Sequence, residues 1–145
     1  MRGNLDGLAA VSLRRSETLV STNEVGRSEA DLRQVVAMAE ATGNQYAGAL
    51  ALTRLGALAA RDGRFAEARA ITERLRIAPL RARSYFDLGL AYQARLRFED
   101  ALSAFQASLR IAESERLERT AEAARRGTAE VLAQVRPGAG MRPSD

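Results

Sequence analysis

Apolar residues fall along the chain in blocks separated by short breaks of Gly, Pro and polar residues. The blocks predict seven helices, at about 5–21, 28–42, 45–61, 65–76, 80–95, 98–112 and 116–135. The second carries its own start signal: Ser28 stands as a cap before Glu29, Ala30 and Asp31, and an acid three residues on can return the hydrogen bond. Val35, Val36, Met38 and Ala39 then supply apolar positions, and Thr42-Gly43-Asn44 ends the segment. Pro79 fits the first turn of the fifth helix, where a missing N–H donor costs little. The segment 137–145 has turn formers and little to bury, so it is expected to be a disordered tail behind one helical domain over residues 1–136.

Two of the blocks repeat. Leu55-Gly56, Asp62-Gly63-Arg64-Phe65 and Glu67-Ala68 recur as Leu88-Gly89, Arg95-Leu96-Arg97-Phe98 and Asp100-Ala101, each element at a spacing of 33. A period near 34 is that of a helix-turn-helix unit whose two helices cannot bury their apolar faces alone and therefore stack on neighbours. A Gly inside a helix costs about 1 kcal/mol against Ala, so Gly56 and Gly89 are expected where a neighbouring helix comes too close for a side chain. Ala68 and Ala101 are expected to do the same on the facing helix, with Tyr85, Tyr92 and Phe105 as the bulk that wedges between helices. Weaker echoes at a spacing of 38, Ala30 to Ala68 and Gly89 to Gly127, extend the series outward.

The second copy reads Tyr85-x2-Leu88-Gly89-x2-Tyr92 followed by Ala101-x3-Phe105, and in this it resembles a tetratricopeptide repeat. It departs from that pattern at Tyr85, where Trp is usual, and at Glu113, where the closing Pro is usual; the first copy keeps the small residues and loses the aromatics. The resemblance implies an all-α fold, a right-handed α-solenoid of about three such repeats with the last helix as a polar cap. It also implies a concave groove lined by the first helix of each pair. The family's groove offsets fall on Thr53, Ala57, Ala60 and Arg61 in one repeat and on Arg83, Phe86, Leu90, Gln93 and Ala94 in the next. The Lys/Asn/Arg clamp by which some members hold chaperone C-termini is not reproduced, since Thr53, Ala57, Phe86 and Leu90 stand at the comparable positions.

Composition narrows the chemistry. The chain has no Cys and no His, which removes thiolate nucleophiles, disulfides and the commonest metal ligand and general base. No cofactor, no metal and no catalytic residue is expected, and the chain is read as a non-enzyme. The net charge of +4 invites a nucleic-acid reading, but the 22 basic residues, all Arg, interleave with 18 acids as on a solvated helical face. No apolar run is long enough to span a bilayer, and the N-terminus lacks the pattern of a secretory signal, so a cytoplasmic location without membrane contact is expected. The sequence reading is thus a protein-interaction module, an adaptor or chaperone-like holder. Its groove, with Ala57, Phe86 and Leu90 as floor and Arg61, Arg83 and Gln93 around it, would take an amphipathic helix or a peptide with an acidic group. Two alternatives stand beside it: an Arg-rich polyanion-binding helical protein, and a homo-oligomeric scaffold that associates through an open helix face.

Overall fold

The computed structural model describes the backbone over residues 22–141 and side chains over residues 26–135. Among the described residues the protein is all-helical, with six helices and no strand: α1 (Thr22–Thr42), α2 (Gln45–Arg61), α3 (Phe65–Arg74), α4 (Ala78–Ala94), α5 (Phe98–Ser114) and α6 (Glu118–Met141). The helix expected at 5–21 lies outside the described residues.

Four of the five connections use the same stop. At the ends of α1, α2, α4 and α5 the chain turns through a left-handed residue, Gly43, Gly63, Leu96 and Arg116, with φ of 77°, 82°, 61° and 59°. The next amide reaches back five residues, Asn44 to Ala39, Arg64 to Ala59, Arg97 to Tyr92 and Leu117 to Ala112, at 2.7–2.9 Å, and so satisfies carbonyls that a helix end would leave orphaned. Gly63 and Leu96 occupy the same place in the 33-residue repeat, so one turn is built once with the residue that adopts positive φ freely and once with a residue that pays for it. The exception is α3, the shortest helix, which ends in extended backbone at Leu75 and passes through Ile77 into α4, with Pro79 in its first turn as the sequence predicts.

Several helix ends differ from the sequence reading, most by one or two residues, and three of the differences have a physical cause. Ser28 is not a cap: α1 begins at Thr22 and runs through Gly26 and Ser28, because both lower helix propensity without removing a backbone donor as Pro would. The third helix stops at Arg74 rather than 76, where Leu75 turns into the core. The last helix starts at Glu118 and its backbone continues to Met141, so residues 137–141 of the expected tail are helical; proline fixes φ near the helical value, so Pro137 removes one backbone donor without leaving the helical dihedral.

Helices adjacent in sequence pack on one another, and α2 also touches α4, as α4 touches α6. On another side α1 and α3 are tied by ion pairs: Glu29 to Arg64, Arg33 to Glu67 at 2.9 Å, and Glu40 to Arg74 at 3.4 Å. Arg64 also holds Glu67 and Asp62, and this ring of carboxylates, Glu29 first among them, raises its already high pKa. The partners are at least partly exposed and contribute about 0–1 kcal/mol each, so they set orientation more than stability.

The interior has two apolar centres. One gathers Ala59, Ala60, Phe65, Ala68, Leu88, Tyr92, Ala101, Ala104, Phe105 and Val131; the other gathers Ala49, Leu52, Leu55, Ile71 and Leu75, with Leu32 and Val36 of α1 against it. In the first, the fully buried Phe105 ring lies between two glycines on different helices. A Cβ on Gly89 of α4 or on Gly127 of α6 would come within 2.7 Å of the ring. Gly56, equivalent to Gly89 in the repeat, has more room: a Cβ there would meet Ile71 Cγ2 at 3.4 Å, ordinary contact, so close approach accounts for Gly89 and not for Gly56. Between the two centres Ser84 of α4 donates to Thr72 Oγ1 of α3 at 2.7 Å, and Thr72 donates onward to the Ala68 carbonyl at 2.9 Å; both hydroxyls are buried. Phe65 and Tyr92 stack at 4.4 Å between centroids under the guanidinium of Arg97, while Tyr85 is only half-buried beneath Arg81.

Candidate functional site

The helices α2 and α4 lie side by side and run in the same direction, since Arg95 at the end of α4 donates from Nη2 to the carbonyl of Arg61 at the end of α2, at 3.0 Å. An open groove runs between them, lined by Ala57, Ala60 and Arg61 from α2 and by Asp87, Leu90, Ala91, Ala94 and Arg95 from α4 and its cap. The alanines keep the floor shallow. Leu90 stands 43% exposed among these alanines, which leaves its side chain free to meet another apolar surface.

The structure brings some of the predicted site residues together and leaves others apart. Ala57, Arg61 and Leu90, with Ala60 and Ala94, share the groove. Phe86 does not line it: the ring is half-buried, with its centroid 5.5 Å from that of Phe105, and it packs against the core. Thr53 donates its hydroxyl to the Ala49 carbonyl of its own helix at 2.8 Å. Gln93 donates to Gln134 Oε1 at 2.8 Å and so links α4 to α6. Arg83 is exposed, rests 5.9 Å from the Phe86 ring and pairs with Asp87 at 3.1 Å.

Asp87, Ala91 and Arg95 line the groove without having been predicted as groove residues. Asp87 sits one turn before Leu90 and Ala91 on the same helix face, and that spacing is the signal that could have found it. Desolvation by the surrounding apolar wall pushes its carboxyl above the usual range, and Arg83 offsets part of this. One end of the groove thus holds an ion pair, Asp87 with Arg83, and the other holds Arg61 and Arg95. Neither Arg61 nor Arg95 pairs with a carboxylate among the described residues.

Among the described residues no group of three acidic side chains is placed to hold a metal ion, and no helix is long and apolar enough to cross a membrane. Compared with known protein families, curated proteins and solved structures, the chain matches none of them.

Proposed function

We propose that the chain is a protein-interaction module in which α2/α3 and α4/α5 are successive pairs of a right-handed helical stack of tetratricopeptide kind, with α6 as its closing helix. The groove between α2 and α4 receives a helix or peptide of a partner protein. The observation that carries this reading is the groove itself: an exposed leucine among alanines, between the first helices of two pairs that share a 33-residue register. The recurrence of one turn at Gly63 and Leu96, and the contacts of α2 with α4 and of α4 with α6, are what a stack of pairs requires. On the exposed side of α6, Arg126 pairs with Glu122 at 3.7 Å beside the exposed Leu132 and Val135.

The test is capture of partners from the native organism with the wild type and with Leu90→Arg, at 50 and 200 mM salt. A groove partner is lost with the variant and held across the salt range. Binding that ignores Leu90→Arg but collapses with salt supports the polyanion alternative instead, because release of counterions from phosphate makes such binding steeply salt-dependent.

A further inference from the structure

A second hollow opens where the two copies of the repeat end differently. α3 and α5 begin at equivalent positions, Phe65 and Phe98, but α5 runs for 17 residues and α3 for 10. Where α5 continues through the fully buried Ser108 and Ala112, α3 has already passed into the extended stretch Leu75–Ile77. The side chains beside it are smaller too. Gly48 and Leu52 of α2 stand where α4, 33 residues on, has Arg81 and Tyr85, the guanidinium 5.9 Å from the ring centre. The shorter helix and smaller residues leave a hollow of about 350 Å³ between the end of α1, the start of α2 and Leu75–Ile77. That volume is within the range of small-molecule sites.

Its wall is apolar, built from Val36, Ala39, Ala49, Leu52, Leu75 and Ile77, and its rim carries the exposed Glu40, Arg74 and Arg76. Glu40 and Arg74 pair with each other at 3.4 Å, whereas no carboxylate among the described residues pairs with Arg76. The rim therefore holds one cation more than it neutralises. An aliphatic chain gains from such a wall with each methylene taken out of water, and a guanidinium takes a carboxylate through two parallel hydrogen bonds. An alcohol of the same length keeps the first gain and loses the second; an amine meets like charge.

We infer that this hollow binds a small aliphatic carboxylate, with its chain against Val36, Leu52 and Ile77 and its head group on Arg76. The site shares no residue with the groove between α2 and α4, so it stands or falls independently of the proposed partner.

Sodium octanoate, octanol and octylammonium chloride, each titrated into the full chain and followed by amide chemical shifts, test it. Octanoate is expected to bind saturably, with shifts centred on residues 43–52 and 74–77, and roughly tenfold or more tightly than octanol. Octylammonium is expected to bind more weakly still. Arg76→Glu is expected to keep the helical signal and melting temperature while lowering octanoate affinity to that of octanol or below. Val36→Trp fills the hollow and is expected to abolish binding; should that variant not fold, Arg76→Glu decides alone. Leu90→Arg, in the other groove, is expected to leave octanoate binding unchanged. Equal affinity for the three probes, an octanoate affinity that survives Arg76→Glu, shifts centred on the α2/α4 groove, or no saturable binding of octanoate each overturns the site.

Discussion

The layer formed by α4, α5 and α6 and the layer formed by α2, α3 and α4 share the 33-residue register in their first two helices and are filled in opposite ways. In the later layer one large ring, Phe105, is seated between Gly89 and Gly127 with no space left for a methyl group on either. In the earlier layer the residue equivalent to Phe105 is Thr72, which joins Ser84 through a buried hydrogen bond while Gly56 keeps ordinary clearance. A repeat thus fixes where helices meet but not how the meeting is made. A ring against glycine backbone gains dispersion and apolar burial and tolerates no added volume, whereas a hydroxyl pair gives a smaller net return and punishes the loss of either partner.

The contrast can be broken most severely at Phe105. Phe105→Ala is expected to destabilise the chain by about 3–5 kcal/mol, read from denaturant unfolding, because it empties the space between two glycines that cannot close on it. Next come the glycines. Gly89→Ala and Gly127→Ala are each expected to cost about 1–3 kcal/mol by forcing the ring to shift. Gly56→Ala is expected to be neutral or to gain up to about 1 kcal/mol from helix propensity; equal losses at Gly56 and Gly89 would erase the difference between the layers.

Smaller effects sharpen the comparison. Thr72→Val leaves the Ser84 hydroxyl buried without its acceptor and is expected to cost about 1–3 kcal/mol, with much of the loss recovered in the double variant Thr72→Val/Ser84→Ala. At the shared turn Gly63→Ala is expected to cost about 1–2 kcal/mol through its positive φ, with Arg95 packed against it besides, whereas Leu96→Gly should relieve strain of that kind. Smallest is Asp87→Asn. Folding raises the Asp87 pKa, so the native carboxyl costs nothing below the unfolded value and its penalty grows as pH rises through the folded one. The variant should therefore gain on the wild type as pH rises from 3 to 7, seen as a widening difference in thermal midpoint; a gap that narrows would show the Arg83 pairing to dominate.

Much of the helical layout was legible because Gly, Pro and polar breaks punctuate it and because 33-residue recurrence ties Gly56 to Gly89 and Phe65 to Phe98. Gly127 showed only as an echo at a spacing of 38; that it shares one ring with Gly89 depends on how α6 lies along α4, which no spacing encodes. Ser28 misled because a good capping residue is also tolerated inside a helix, and only neighbouring turns decide between the two. The turn at Leu96 was hidden because a left-handed leucine carries no compositional mark. Of the groove, Ala57, Arg61 and Leu90 followed from offsets to the Leu-Gly pair. Asp87 and Arg95 did not, since their place depends on the rotation of α4 against α2, and Phe86 fell on the core side of that same rotation.

All of the functional reading depends on the Leu90 face of α4 being surface rather than interior. Thermal unfolding of Leu90→Arg, followed by circular dichroism, tests this most directly. An exposed groove residue predicts the wild-type helical signal and a midpoint within a few degrees of wild type. A fall of the size that about 3 kcal/mol produces, or loss of the helical signal, would place Leu90 inside the fold and contradict the groove.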